Sequence, residues 1–129
     1  AGIENLWPGH VLTHDTSGGI TRVRADAGFD VSITLAADRP VGSSVTLAVR
    51  SEDVLVCKTP VEGLSARNIY PARIVALERT GPDVVLRGAL QNGGGELLAR
   101  VTPAAVAALE LAPNRHVWLA VKSHSIRIV

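Results

Sequence analysis

Three segments of the chain hold the groups that a tetrahedral oxyanion requires. Ser65-Ala66-Arg67-Asn68 leads into a strand-like run, Ala120-Val121-Lys122-Ser123 closes another, and Thr102 opens a helical stretch between them. An oxyanion offers only acceptors, so its site should consist of donors and compensating positive charge. Arg67 can supply a planar fork and Lys122 a point charge, while Ser65, Ser123 and Thr102 add hydroxyls. Backbone N–H groups at the helix start add a partial positive charge. On residue type alone, the commoner reading of Arg67 and Lys122 is a solvated strand edge. Thr102 is at least a helix cap, and Ser65 reads equally as a turn residue bonded to its own backbone.

These segments belong to a sequence that repeats itself. Asn5-Leu6-Trp7-Pro8-Gly9-His10-Val11 is echoed by Asn68-Ile69-Tyr70-Pro71-Ala72-Arg73-Ile74 at an offset of 63. Val45-Thr46-Leu47-Ala48-Val49-Arg50-Ser51 is echoed by Val117-Trp118-Leu119-Ala120-Val121-Lys122-Ser123 at an offset of 72. Two blocks in the same order indicate a duplicated unit of about 60 residues, near the smallest size that folds alone. The copies differ in sign: Glu4 stands where the second copy has Arg67. Glu4 and Arg50 are expected to satisfy each other or to face solvent, leaving the first copy without an anion site. Asn5 and Asn68 recur in both copies and are therefore read as structural.

The elements that must hold these groups are strands. Alternation over Ile20 to Ala25 and Val31 to Leu35 reads as half-buried strand. Val45 to Arg50, Val54 to Cys57, Arg73 to Glu78, Val84 to Leu90, Leu97 to Thr102, Val117 to Lys122 and Ile126 to Val129 follow. Turns are expected at Ser17-Gly18-Gly19, Arg39-Pro40-Val41-Gly42, Thr80-Gly81-Pro82-Asp83 and Asn92-Gly93-Gly94-Gly95. Only Pro103 to Leu109 looks helical, with Thr102 as N-cap and Pro103 in the first turn, and it explains most of the growth in offset. The expected fold is all-β: two tandem small Greek-key barrels of the oligonucleotide/oligosaccharide-binding type, with one short helix. The first spans residues 1–57, a linker 58–64, and the second 65–129.

Composition removes several function classes. In 129 residues, 47% are hydrophobic but only 3% aromatic, and formal charge is +1. No global field draws the chain to nucleic acid or a membrane surface, and a nucleic-acid groove would need exposed aromatics. No apolar run approaches the roughly 20 residues that span a bilayer. Lone Cys57 forms no internal disulfide, fits a reducing cytoplasm, and reads as an inert small hydrophobe. His10 and His14 lie four apart on a strand with no third ligand, and His116 and His124 flank the last long strand, so no metal site is expected. No Ser/His/Asp order or carboxylate pair suggests catalysis. The chain opens on Ala1 without Met, with the first repeat following almost at once, so it is read as a piece of a longer protein.

The blocks Ser65-Ala66-Arg67-Asn68, Ala99-Arg100-Val101-Thr102, Leu109-Glu110-Leu111 and Ala120-Val121-Lys122-Ser123, in that order over about residues 64 to 129, resemble the molybdate-binding module called molbindin or TOBE domain. The first half resembles the segment after the nucleotide-binding domain in oxyanion-importer ATPases, with Leu47 to Val54 similar to the closing strand of the preceding unit. The resemblance implies a cytoplasmic C-terminal regulatory domain of a molybdate or tungstate ABC importer ATPase. No Gly-x-x-x-x-Gly-Lys-Ser/Thr phosphate loop occurs in these residues, so no enzymatic activity is expected of them.

The resemblance also implies the ligand set. Ser65, Ala66 and Arg67 stand at the family's Ser-Ala-Arg-Asn motif, Thr102 at the threonine opening its short helix, and Lys122 at the lysine of its last long strand. Ala105 stands where some relatives carry a hydroxyl, and Ser123, where relatives often have Ala, could replace that donor. In the family such sites lie between subunits, which implies a homodimer or higher oligomer, with the ATPase and permease as partners in a full transporter. No cofactor other than the molybdate or tungstate ligand is implied. Two other readings stay open: a ligand-free module that fastens ATPase subunits together, and a free-standing molybdate store.

Overall fold

The computed structural model describes residues 4–91 and 94–129; Asn92 and Gly93 of the expected glycine-rich turn lie outside the described residues. Among the described residues, ten strands form two antiparallel sheets. Their order along the chain is β1 (Glu4–Asp15), β2 (Ile20–Ala25), β3 (Asp30–Thr34), β4 (Ser44–Arg50), β5 (Leu55–Cys57), β6 (Asn68–Thr80), β7 (Asp83–Leu90), β8 (Glu96–Val101), β9 (His116–Val121) and β10 (Ile126–Ile128). The one α-helix among the described residues, α1 (Pro103–Ala108), lies between β8 and β9. One sheet runs β10-β4-β1-β2-β3 and the other β5-β9-β6-β7-β8, so the two copies share one topology. The architecture is two curled, half-barrel sheets of the oligonucleotide-binding type in tandem, with one short helix.

The sheets do not follow the chain. Leu55–Cys57, which precedes residues 58–64, hydrogen-bonds to β9 of the second sheet, with Leu55 opposite Ala120. Ile126–Ile128, from the far end of the chain, hydrogen-bonds to β4 of the first, with Ile126 opposite Val49. Each copy therefore lends its last short strand to the other. Residues 58–67 run between β5 and β6 without regular structure.

The long strands open each copy, and both carry a proline inside. Pro8 lies opposite Thr46 and Pro71 opposite Trp118. Each lies one residue beyond the paired register of the neighbouring hairpin, which begins at Gly9–Ala25 and Ala72–Leu90, so the missing N–H interrupts no paired ladder bond there. Their carbonyls accept the Asp26 N–H at 2.8 Å and the Gln91 N–H at 3.1 Å. Each long strand also carries one irregularity, between Val11 and Thr13 and between Ile74 and Ala76, which increases its coiling. In β1 the alternation is strict, with Asn5, Trp7, Gly9 and Val11 buried and the residues between them exposed. A Cβ at Gly9 would lie 2.4 Å from the Arg24 carbonyl oxygen, so only glycine fits there.

The core is aliphatic and common to both sheets. Ile33, Leu47, Ile74, Leu86, Leu97 and Leu119 are fully buried; each such side chain contributes roughly 1.5–3 kcal/mol. Phe29 joins the halves: its ring meets Trp7 edge-on at 5.2 Å and Tyr70 at 5.5 Å.

Helix α1 begins as the sequence predicts. The Thr102 hydroxyl oxygen accepts the Ala105 N–H at 3.1 Å, and proline opens the first turn. In the first copy the corresponding connection, residues 35–43, forms no helix. His14 instead staples it, with Nδ1 2.8 Å from the Thr21 hydroxyl and Nε2 2.6 Å from the Arg39 carbonyl oxygen. Thr21 is fully buried, and its hydroxyl oxygen accepts the Ala36 N–H at 2.8 Å. No helix of the described residues is long and apolar enough to cross a membrane.

Candidate oxyanion-binding site

The local frame of the site is a side-chain amide that acts as a piece of strand. Asn68, buried at the start of β6, accepts the Ser32 N–H at 2.7 Å and donates to the Ser32 carbonyl at 2.9 Å and the Val121 carbonyl at 3.1 Å. It satisfies the outer edge of β3, which has no strand neighbour there. Tyr70, two residues on, donates its hydroxyl to the Asp30 carbonyl at 2.7 Å. Burial, and then the Asp30 carboxylate, push the Tyr70 phenol well above the usual range, so it stays a donor. Asn5 repeats the device on the other side, accepting the Leu98 N–H at 2.8 Å and donating to its carbonyl at 3.0 Å. Sequence reasoning assigned both asparagines a structural role; the structure supplies the partners, Ser32 and Leu98.

Arg67 immediately precedes Asn68, and Lys122 immediately follows Val121, to which Asn68 is paired. The two cations thus stand across from one another where β6 and β9 end. Both are exposed, and neither forms an ion pair among the described residues. Arg67 lines an open hollow with Asp15, Ile20, Arg22 and Ser32 of the first sheet. Ser65 is exposed in the approach to β6, and Ala66 beside it is buried. Among the described hydrogen bonds, none uses the backbone N–H of Ser65, Ala66 or Arg67.

The remaining expected ligands are placed differently. Ser123 is buried, and its hydroxyl donates to the Ser32 carbonyl at 2.8 Å, so its hydrogen is directed into the fold. Thr102 follows Val101, which pairs with Val84, beside the turn where Thr80 faces Asp83. That is the far end of β6 from Arg67. One chain brings Ser65, Ala66, Arg67, Lys122 and Ser123 together; it does not bring Thr102 to them. Sequence reasoning missed Arg22 and Ser32, which lie in the other copy and carry no local signal.

The corresponding corner of the first copy has the opposite character. Glu4 lies opposite Arg50 in the ladder, yet its carboxylate reaches Arg127 Nη2 at 2.5 Å. Of the two expected outcomes, direct pairing with Arg50 is not found, while both residues are exposed; β10 enters beside β4 and brings Arg127 to Glu4 instead. Arg50 is left exposed. The hollow beside Glu4 also holds Glu78, Arg87, Glu96 and Leu98.

The sequence profile described as the TOBE domain matches residues 64–128. The molybdenum import ATP-binding protein ModC of Aromatoleum aromaticum is 36% identical over 112 residues, 87% of this chain and 29% of that protein. Its counterpart in Mesorhizobium japonicum is 33% identical over 115 residues, 89% of this chain and 30% of that protein. The molybdate/tungstate import ATP-binding protein WtpC of Pyrococcus abyssi is 33% identical over 88 residues, 68% of this chain and 25% of that protein. The chain thus spans less than a third of the length of these relatives. Among solved structures, the cytoplasmic molybdate-binding protein ModG, in a form with molybdate bound, shares the fold with a TM-score of 0.83 at 22% identity. That likeness covers 96% of this chain and 94% of the other. By the profile match over half its length, this chain belongs to the TOBE domain family.

Proposed function

We propose that this chain binds a tetrahedral oxyanion, molybdate or tungstate, as the regulatory part of a cytoplasmic ABC importer ATPase subunit. One observation carries the reading: Arg67 precedes and Lys122 follows the cross-strand pair Asn68–Val121, and neither has a carboxylate partner among the described residues. A dianion placed between them accepts from a guanidinium fork, an ammonium and the backbone N–H groups of Ser65, Ala66 and Arg67. Similarity to molybdenum import ATP-binding proteins supports the choice of anion.

Thr102 lies too far along the fold to serve the same site within one chain, so it contributes from a second copy. Anion binding then favours the arrangement in which both sets of donors converge. In the intact transporter that arrangement slows import when the anion is plentiful. Within the chain, residues 65–129 carry Arg67 and Lys122 and residues 1–57 pack against them, joined by the linker at 58–64.

Calorimetric titration with sodium molybdate and sodium tungstate tests the proposal, with sodium sulfate as comparison. Saturable binding of the first two is expected, with Trp118 fluorescence changing in parallel. Absence of heat at millimolar anion would sink it. Leu6 and Leu55, 61% and 54% exposed, favour a second reading in which the chain chiefly fastens two subunits together. A dimer of unchanged affinity with and without molybdate would favour that reading.

A further inference from the structure

We propose that the first copy completes the Arg67 site: Arg22 on β2 and the Ser32 hydroxyl on β3 join Arg67 on one dianion within a single chain. This rests on the oxyanion reading of Arg67 given above.

Arg22 and Ser32 are direct cross-strand partners on β2 and β3, and they line the same hollow as Arg67. The Asn68 amide fixes Arg67 beside them, because Asn68 bonds both backbone groups of Ser32. Arg22 is held by Asp30 through one described contact, Nη2 to Oδ2 at 2.8 Å. A guanidinium has five N–H donors, so the others remain for an anion. Arg24 occupies the second Asp30 oxygen, also at 2.8 Å, which keeps that carboxylate pinned on its own strand pair. Asp15 is the one acid lining the hollow, and its Oδ1 accepts from Ser17 Oγ at 3.1 Å and Gly18 N–H at 2.9 Å. Its charge opposes a dianion without pairing with Arg22 or Arg67.

The other copy is the internal comparison. There Arg87 pairs across the ladder with Leu98, as Arg22 does with Ser32. Glu4 replaces Arg67, Leu98 replaces the hydroxyl, and Glu78 and Glu96 line the hollow. Arg87 turns its Nε toward Glu96 at 3.8 Å, beyond hydrogen-bond reach, and that nitrogen has no described hydrogen-bond partner. An arginine and an acid of the long strand, Asp15 or Glu78, are common to both hollows; what distinguishes the first is Arg67 and the Ser32 hydroxyl beside Arg22, where the second has Glu4 and Leu98.

Titration of the 129-residue chain with sodium molybdate, followed by calorimetry, distinguishes this inference from the reading beneath it. Arg22→Gln is expected to weaken binding by roughly tenfold or more, the size of one charge-assisted hydrogen bond. Asp15→Asn is expected to tighten it, and Arg87→Gln to leave it unchanged. Arg22→Gln within twofold of the parent, with Arg67→Ala inactive, would overturn the inference and leave the reading intact. Full binding by Arg67→Ala, or none by the parent chain, overturns both. Should Arg22→Gln fail to fold, as judged by circular dichroism, Asp15→Asn decides: affinity no tighter than the parent's overturns the inference.

Discussion

The Asn68 side chain pairs with Ser32 as one strand pairs with another, using its amide oxygen for the Ser32 N–H and its amide nitrogen for the Ser32 carbonyl. Asn5 does the same to Leu98. Each copy thereby covers the open edge of the other's sheet, where unpaired backbone groups would be costly. Residues proposed for the anion border this contact: Arg67 precedes Asn68 in sequence, and Ser123 donates to the same Ser32 carbonyl.

Asn68→Ala leaves the Ser32 N–H and carbonyl without that partner and should lower unfolding free energy by about 2–3 kcal/mol. Asn68→Asp keeps the acceptor but sets a buried carboxylate against the Ser32 and Val121 carbonyls, so a loss at least as large is expected. Urea denaturation checks both, and equal stability of Asn68→Ala and the parent would refute the strand-like role. Asn5→Ala should cost a similar amount.

Arg67→Glu installs in the second copy the sign that Glu4 gives the first. Arg67 is exposed and has no described partner, so stability should change by no more than about 0.5 kcal/mol. Molybdate binding should be lost, and Lys122→Ala should weaken it strongly. Thermal melting beside titration separates the two effects; a variant that melts normally and still binds would remove Arg67 from the site.

Tyr70→Phe deletes the hydroxyl bond to the Asp30 carbonyl and should cost about 1 kcal/mol at neutral pH. The folded phenol is shifted upward by burial and Asp30, so the unfolded chain ionises first. The sign follows: the stabilisation is present below the ordinary phenol value of 10.0 and is lost as pH rises above it. Alkaline denaturation should therefore be shallower in Tyr70→Phe, and identical slopes would contradict the buried phenol.

Glu110 follows α1 and accepts from Lys58 of the inter-sheet segment. The Lys58 hydrogen bond, then the charges of Lys58 and Arg115, hold its carboxyl below the ordinary value of 4.5. Its contribution is present above 4.5 and fades as pH falls through the lowered value. Glu110→Gln should melt slightly earlier than the parent at pH 7, with the gap closing on acidification. A gap that widens in acid would exclude this pairing.

Much of the fold was legible because burial leaves a period in the sequence. The alternation of Ile20 to Ala25, the Thr102-Pro103 start of α1 and the recurrence of Asn5 and Asn68 all mark local constraints that residues near in sequence can express. The setting of Pro8 and Pro71 was not legible, since a proline inside a strand is tolerated only where no neighbouring acceptor depends on its missing N–H, and that depends on where the next strand ends. Nor was the destination of Glu4: its ladder partner Arg50 is local to the copy, while Arg127 comes from the other end of the chain.

By itself, the sequence determined that two like-built β units follow one another, that one carries Arg67 where the other carries Glu4, and that Arg67 and Lys122 belong to corresponding strand ends. Those are properties of pattern, composition and order. Only the tertiary structure decided that β5 and β10 change places, that Asn68 locks onto Ser32, and that Arg22 and Arg67 line one hollow. Such relations depend on which sheet edges meet in space, and backbone groups seeking partners leave no mark on residue type.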